Sequence, residues 1–175
     1  MSKRVSLREF QEGLAARLKA AAGEATHTAR LSFEAGTSAW LLRLEGSGEV
    51  LQVPDIQRVP LTRDWFLGVA NIRGLLYGVS DLCGLLGQGP TVRGPNNRLL
   101  LVGRPHSINA ALLVTRLTGL RNLQQMHPVD EPGGGNEANW SERAWRDGEG
   151  RLWRELDVAK LVAHRDFLEV AAQTD

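Results

Sequence analysis

Apolar residues recur at helical spacing near the start of the chain and at strand spacing over most of the remainder. In SLREFQEGLAARLKAAAG, Leu7, Phe10, Leu14 and Leu18 fall on one helical face, Ser6 is placed as an N-cap with Glu9 three residues on, and the run ends near Gly23. Residues 1–25 are therefore expected to form an amphipathic helix, docked on its own domain or offered to a partner helix or membrane. From Leu31 the texture changes to short apolar runs bounded by Gly, Pro, Asn or Asp, the pattern of an all-β domain with tight turns. LSFEAG alternates with Leu31 and Phe33 on one side. Gly36-Thr37 predicts a hairpin into SAWLLRLEG, and Gly46-Ser47-Gly48 a second reversal before EVLQV.

Pro54 and Pro60 bracket PDIQRVP, and each removes a ladder donor, so this segment is a connection with at most an edge strand. DLCGLLGQGP predicts one short helix with Asp81 as N-cap and Gly87 as its stop, and TVRGPNN a loop. RLLLVGRP reads as a continuous apolar run, as expected of a strand buried on both faces, and INAALLVTRLTGLRNL alternates less cleanly but is rich in Leu, Val and Thr. MHPVDEPGGGNEANWSERAWRDGEG loses nearly all aliphatic residues and predicts a long flexible loop. The chain closes with a strand through Leu152, Trp153 and Leu156, a helix capped by Asp157 with Val158, Leu161 and Val162 inward, and a last turn capped by Asp166 and carrying Phe167, Leu168 and Val170.

Composition narrows the function more than the fold. With 175 residues, 42% hydrophobic and 23% charged, the chain suits one globular domain with a core. A net charge of +1 lacks the concentrated basic excess that binding a phosphate backbone needs, so nucleic acid is not an expected partner. Cys83 stands alone and fits a reducing compartment. No apolar run reaches membrane-span length, and the opening MSKRVSLREFQ lacks a signal-peptide core, so a cytoplasmic location without direct membrane insertion is expected.

The chemistry of catalysis is thin. His27, His106, His127 and His164 lie in separate segments without a carboxylate at triad-like or metal-like spacing. Cys83 sits in no nucleophile signature and reads as structural. GLLGQGPTVRG tempts as a phosphate cradle, but Pro90 interrupts it and no Lys follows. Trp40 and Trp65 read as core, whereas Trp140 and Trp145, in the polar loop, are either contact residues or a flap packed on the domain. No enzyme activity, metal or cofactor is expected. The glycine loop and the Trp pair leave a small-ligand or nucleotide-binding β-barrel as the alternative reading.

One apolar stretch, WFLGVANIRGLLYGVSDL from Trp65 to Leu82, carries Asn71, Arg73 and Asp81, and a guanidinium there requires a carboxylate partner or a task. Gly74 after Arg73 permits a positive-φ turn, and Asn71 is suited to bonding the backbone of that turn. Gly68, Asn71, Arg73, Gly74, Asp81 and Leu82 together resemble the signature of the CheW-like adaptor domain, and the similarity extends upstream through GEVLQVPDIQRVPLTRDWFLG and downstream to ELDVAKLVAHRDFLEVA. The leading helix and the ending DFLEVAA resemble the subgroup from chemosensory systems that govern type IV pili and twitching motility.

The resemblance implies a mainly β domain over 28–172, built of two small five-stranded β-barrels with flanking N- and C-terminal helices. It also implies a scaffold rather than a catalyst. Its partners would be the cytoplasmic signalling tip of a methyl-accepting chemoreceptor and a CheA-type histidine kinase, bound through the kinase's CheW-like regulatory domain. The family's acidic partner for Arg73 falls on Glu49, in the pair Glu49-Val50, with Asp55 as the alternative. Glu49, Val50, Gly68, Asn71, Arg73, Gly74 and Asp81 are thus the candidate residues that shape or contact a partner surface. Tyr77, Gly78 and Ser80 replace the aliphatic residues and Pro usual in the family, which predicts a kinked or weaker strand near residue 78.

Overall fold

The punctuated apolar runs become strands in a computed structural model that describes residues 28–44, 47–102, 106–130 and 139–172. The helix expected over 1–25 lies outside the described residues. Strand β1 (Ala29–Ala35) turns through Gly36-Thr37 into β2 (Ser38–Arg43), and Ala35 faces Ser38 across a two-residue loop whose Gly36 takes φ +58°. β3 (Ser47–Gln52) does not fold back onto β2 as the glycines suggest. It pairs instead with β6 (Arg98–Val102), because the free side of β2 is taken by a parallel strand, β11 (Leu152–Leu156).

β4 (Phe66–Ile72) and β5 (Leu75–Asp81) form the next hairpin, and α1 (Leu82–Leu85) comes directly after it. Asp81 caps α1, and Gly87, at φ +76°, ends the turn as expected. The run INAALLVTRLTGLRNL divides into β7 (Ala110–Val114) and β8 (Arg116–Asn122), which belong to different sheets. At the join, Thr115 donates its N–H to Glu34.

The region expected to be a flexible loop holds two strands, β9 (His127–Val129) and β10 (Ser141–Arg146), paired with each other and, through β10, with β11. Its low aliphatic content is misleading because Trp140, Ala144 and Trp145 supply the apolar surface. Trp140 is buried in the main core, and Trp145 packs half-buried beside Trp153. Neither is an exposed contact residue. Asp157 caps α2 (Val158–Ala163) as predicted, but the cap of α3 (Arg165–Leu168) is His164, whose Nδ1 accepts the Asp166 N–H at 3.2 Å. Asp166 lies inside the helix, two residues past the capping position.

Two sheets result. One runs β8-β1-β2-β11-β10-β9 and the other β3-β6-β7-β5-β4, so the first has six strands rather than the expected five, and among the described residues neither ladder closes into a barrel. Strand alternation explains the layering. Leu100, Val102, Ala110, Leu112 and Val114 point toward Phe33, Trp40 and Leu42 and form the core between the sheets. The intervening Leu99, Leu101, Ala111 and Leu113 line the other face of their sheet with Ala70, Ile72 and Val79. On the far face of the first sheet, Ala39 and Leu41 meet Met126 and Trp153. The continuous apolar runs are thus strands buried on both faces, as expected. Gly78 causes no break, since β5 is paired to β4 on one side and to β7 on the other.

Candidate functional site

The β4–β5 hairpin turns on two residues, Arg73 at φ +51° and Gly74 at φ +83°, with Ile72 facing Leu75 across the loop. Positive φ at both positions gives the turn a twist that matches the strands. The Asn71 side-chain oxygen accepts the Gly74 N–H at 2.9 Å and holds the turn shut. Arg73 then reaches Glu49 on β3, with its terminal nitrogen 2.5 Å from the carboxylate, so Glu49 rather than Asp55 is its partner.

This pair spans a seam. β3 and β4 are the two edges of the five-stranded sheet, and the ion pair joins β3 to the hairpin where no backbone ladder does. A concavity of about 300 Å3 lies along that seam, lined by Glu49, Ile72, Arg73, Leu75, Tyr77 and Leu101. The pair is a surface feature, with the Arg73 side chain 72% and that of Glu49 42% exposed. In water-accessible surroundings it contributes under about 1 kcal/mol to stability. Beside it Leu75 stands 55% exposed, and Leu76, 63% exposed, follows it on the opposite face of the hairpin tip.

The other candidates separate from this cluster. Val50 packs toward the core between the sheets. Gly68 lies at the far end of β4, at φ +126° and at the register shift between Phe66 and Gly68; a Cβ there would fall 2.0 Å from the Gln57 carbonyl oxygen. That space lets Gln57 and Val69 exchange two backbone hydrogen bonds of 2.8 and 2.9 Å. Asp81 is buried: one carboxylate oxygen accepts from Cys83 N–H and the Thr91 hydroxyl, the other from Thr91 N–H at 2.7 Å. Its role is to tie α1 to the loop beyond it. The structure thus brings Glu49, Asn71, Arg73 and Gly74 together and leaves Val50, Gly68 and Asp81 as internal supports.

Sequence pattern did not reveal the charged interior of the six-stranded sheet. Glu155, 1% exposed, accepts from Arg30 Nε at 2.6 Å and Arg43 Nε at 3.1 Å, and Arg43 also bridges to Glu142 at 2.6 Å. Glu34 holds Arg116 and Arg151, at 2.5 and 2.7 Å. The Arg116 hydrogen bond, with Arg151 adding to it against the cost of burial, keeps the Glu34 carboxyl below its ordinary value. Asp147 is also lowered: burial would raise it, but the Trp153 indole N–H at 2.7 Å, two backbone N–H groups and Arg121 outweigh that. Arg121 and Arg151 lie 4.0 and 4.9 Å from the Trp153 ring centroid. The signal is present as alternation, since Arg30, Ser32 and Glu34 occupy the strand face opposite Leu31 and Phe33.

The glycine-bearing segment after Asp81 is a capped helical turn and its exit, beside a concavity of about 750 Å3 lined by Arg58, Trp65, Gly84, Gly87 and Gly89, and the two loop tryptophans are packed rather than displayed. Among the described residues no group of His, Cys, Asp and Glu is arranged to hold a metal ion, and no helix is long and apolar enough to cross a membrane.

Comparison with known proteins agrees with this architecture. The CheW-like domain family matches residues 30–166. Protein PilI of Pseudomonas aeruginosa is 32% identical over 100 residues, which cover 57% of this chain and 53% of PilI, so the match spans about half of that relative's length. Chemotaxis protein CheW of Thermotoga maritima is 25% identical over 132 residues, 75% of this chain and 85% of that protein. The crystal structure of the scaffolding protein TtCheW from Thermoanaerobacter tengcongensis shares the fold, with a TM-score of 0.66, 17% identity and coverage of 79% of this chain and 94% of that one.

Proposed function

The chain belongs to the CheW-like domain family, and on that premise we propose that it is a non-enzymatic adaptor joining the cytoplasmic tip of a methyl-accepting chemoreceptor to a CheA-type histidine kinase. The kinase is engaged through its own CheW-like regulatory domain. The similarity to PilI supports a chemosensory system that controls type IV pili and twitching motility. The observation that carries the adaptor reading is the hairpin tip. Leu75 is displayed beside an ordered Arg73–Glu49 pair that is too exposed to be needed for folding, with Leu76 on the opposite face of the same tip. An exposed leucine flanked by a fixed guanidinium is a surface suited to a protein partner, with Leu75 as anchor and Arg73 setting register. The Asn71-braced turn keeps that surface preformed, which lowers the entropy lost on binding.

Pull-down of the purified chain with a CheA-type kinase and, separately, with a receptor signalling fragment tests the assignment; capture of both is expected, and capture of neither overturns it. In titration calorimetry, Arg73→Ala is expected to weaken kinase binding about tenfold while Arg93→Ala leaves it unchanged. Urea midpoints of the two variants should differ by under about 1 kcal/mol in stability. Equal binding losses for both would remove Arg73 from the interface. A thermal-shift screen of nucleotides and small metabolites serves as the counter-test, since ligand stabilisation without partner binding would point to a binding barrel instead.

A further inference from the structure

β8 is an edge strand of the six-stranded sheet, and its outer backbone edge is unpaired among the described residues. It carries Leu120, 66% exposed, directly opposite the half-buried Leu31 of β1, so the two side chains share one face. Ala29, where the described chain enters β1, faces Asn122 on the same pair of strands. A concavity of about 710 Å3 opens here, lined by Ala29, Leu120, Asn122, Gln125, Met126 and Glu149 among others. An exposed edge bearing an apolar residue is a site that proteins ordinarily cover.

The chain itself supplies a cover of the right kind at the right place. Twenty-seven residues precede Thr28, and Leu7, Phe10, Leu14 and Leu18 form an apolar stripe at helical spacing. Only Glu24 to His27 separate Gly23, where the sequence predicts the helix to end, from Thr28. Four residues reach at most about 14 Å, so a helix ending near Gly23 would stay tethered in the neighbourhood of Ala29. A helix over 6–23 is about 27 Å long, enough to lie along β8 past Leu120. The charges are compatible: residues 1–27 carry five Lys and Arg against three Glu, Arg17 and Lys19 flank the stripe, and the concavity is lined by Asp147 and the exposed Glu149 against Arg121.

We propose that residues 6–23 dock as an amphipathic helix over the β8 edge, with Leu14 and Leu18 on Leu120. The seat belongs to the six-stranded sheet, whereas the β4–β5 hairpin belongs to the other, and the residues lining the two concavities do not overlap.

Hydrogen exchange on the full chain, read by mass spectrometry at two protein concentrations, tests this. Peptides from 7–22 are expected to exchange about tenfold or more slowly than an unstructured chain. That protection is lost in Leu120→Asp and kept in Leu168→Asp, a control leucine that is also exposed on α3. Protection of β7 in every variant verifies that the domain remains folded. Coil-like exchange of 7–22 in the unaltered chain overturns the proposal, as does protection that survives Leu120→Asp or disappears in both variants. Protection that grows with concentration overturns it too, because the helix would then be meeting a second copy.

Discussion

At the scale of single residues, two glycines of the same hairpin have different reasons for being glycine. Gly74 occupies φ +83° in open space, so replacing it strains only the backbone, at a cost of about 1–2 kcal/mol. Gly68 combines φ +126° with a carbonyl oxygen 2.0 Å from where a Cβ would stand. Gly68→Ala must therefore break the Gln57–Val69 bridge as well, and it is expected to destabilise the domain more than Gly74→Ala, by roughly 2 kcal/mol or more in total. Chemical denaturation of the two variants side by side checks this, and equal midpoints would contradict the geometry. Gly74 was legible in the sequence as a turn residue, and Gly68 only as a member of the signature. The close approach at Gly68 was not, because Gln57 lies eleven residues away on a connection that local pattern describes only as irregular.

At the scale of elements, ion pairs link strands that the ladders leave apart. Arg73–Glu49 joins β3 to the β4–β5 hairpin in one sheet, and Arg121–Asp147 joins β8 to the β10–β11 turn in the other. Their environments set their worth. The hairpin pair is exposed and weak, whereas Glu155 is buried between Arg30 and Arg43. Removing that carboxylate takes from Arg30, 8% exposed at its side chain, a 2.6 Å ion pair. Glu155→Ala is accordingly expected to cost about 3–5 kcal/mol, several times the effect of Glu49→Ala. Urea unfolding of both variants measures the ratio, and comparable losses would mean that burial does not govern these pairs. The hairpin pair belongs to a recognisable signature, while Glu155 sits unremarked in RLWREL, since a strand pattern does not say which face meets two arginines.

At the scale of the whole molecule, the carboxylates of the six-stranded sheet are expected to set the acid limit of stability. Glu34 and Asp147 both lie below their ordinary values, Glu34 through Arg116 and Arg151, and Asp147 because its hydrogen bonds outweigh burial. The unfolded chain therefore takes up protons at these groups before the folded one does. Their contribution is complete above the ordinary values of 4.5 and 3.8 and is lost as pH falls through the lower folded values. The melting temperature is expected to hold near neutrality and drop below about pH 4.5, with a shallower drop in Glu34→Gln. Thermal scans from about pH 7 down to strongly acid conditions give the comparison, and parallel profiles would assign the acid limit to other groups.

The features that sequence settled unaided are local: strand periodicity, the two-residue hairpins at Gly36-Thr37 and Arg73-Gly74, the Asp81 and Asp157 caps, and the signature from Gly68 to Leu82 that leads to the family. Each depends on residues within one turn or one strand, where side-chain chemistry and backbone freedom act directly. It took tertiary packing to send β3 away from β2 to β6, to part β7 and β8 into different sheets, and to bury Trp140 and half-bury Trp145. Packing also leaves the Arg73–Glu49 pair in water while Arg30–Glu155 is withdrawn from it. Sheet partners and burial depend on groups far apart in the chain, and the energy of an ion pair is set by the solvent it keeps or loses, which no local pattern encodes.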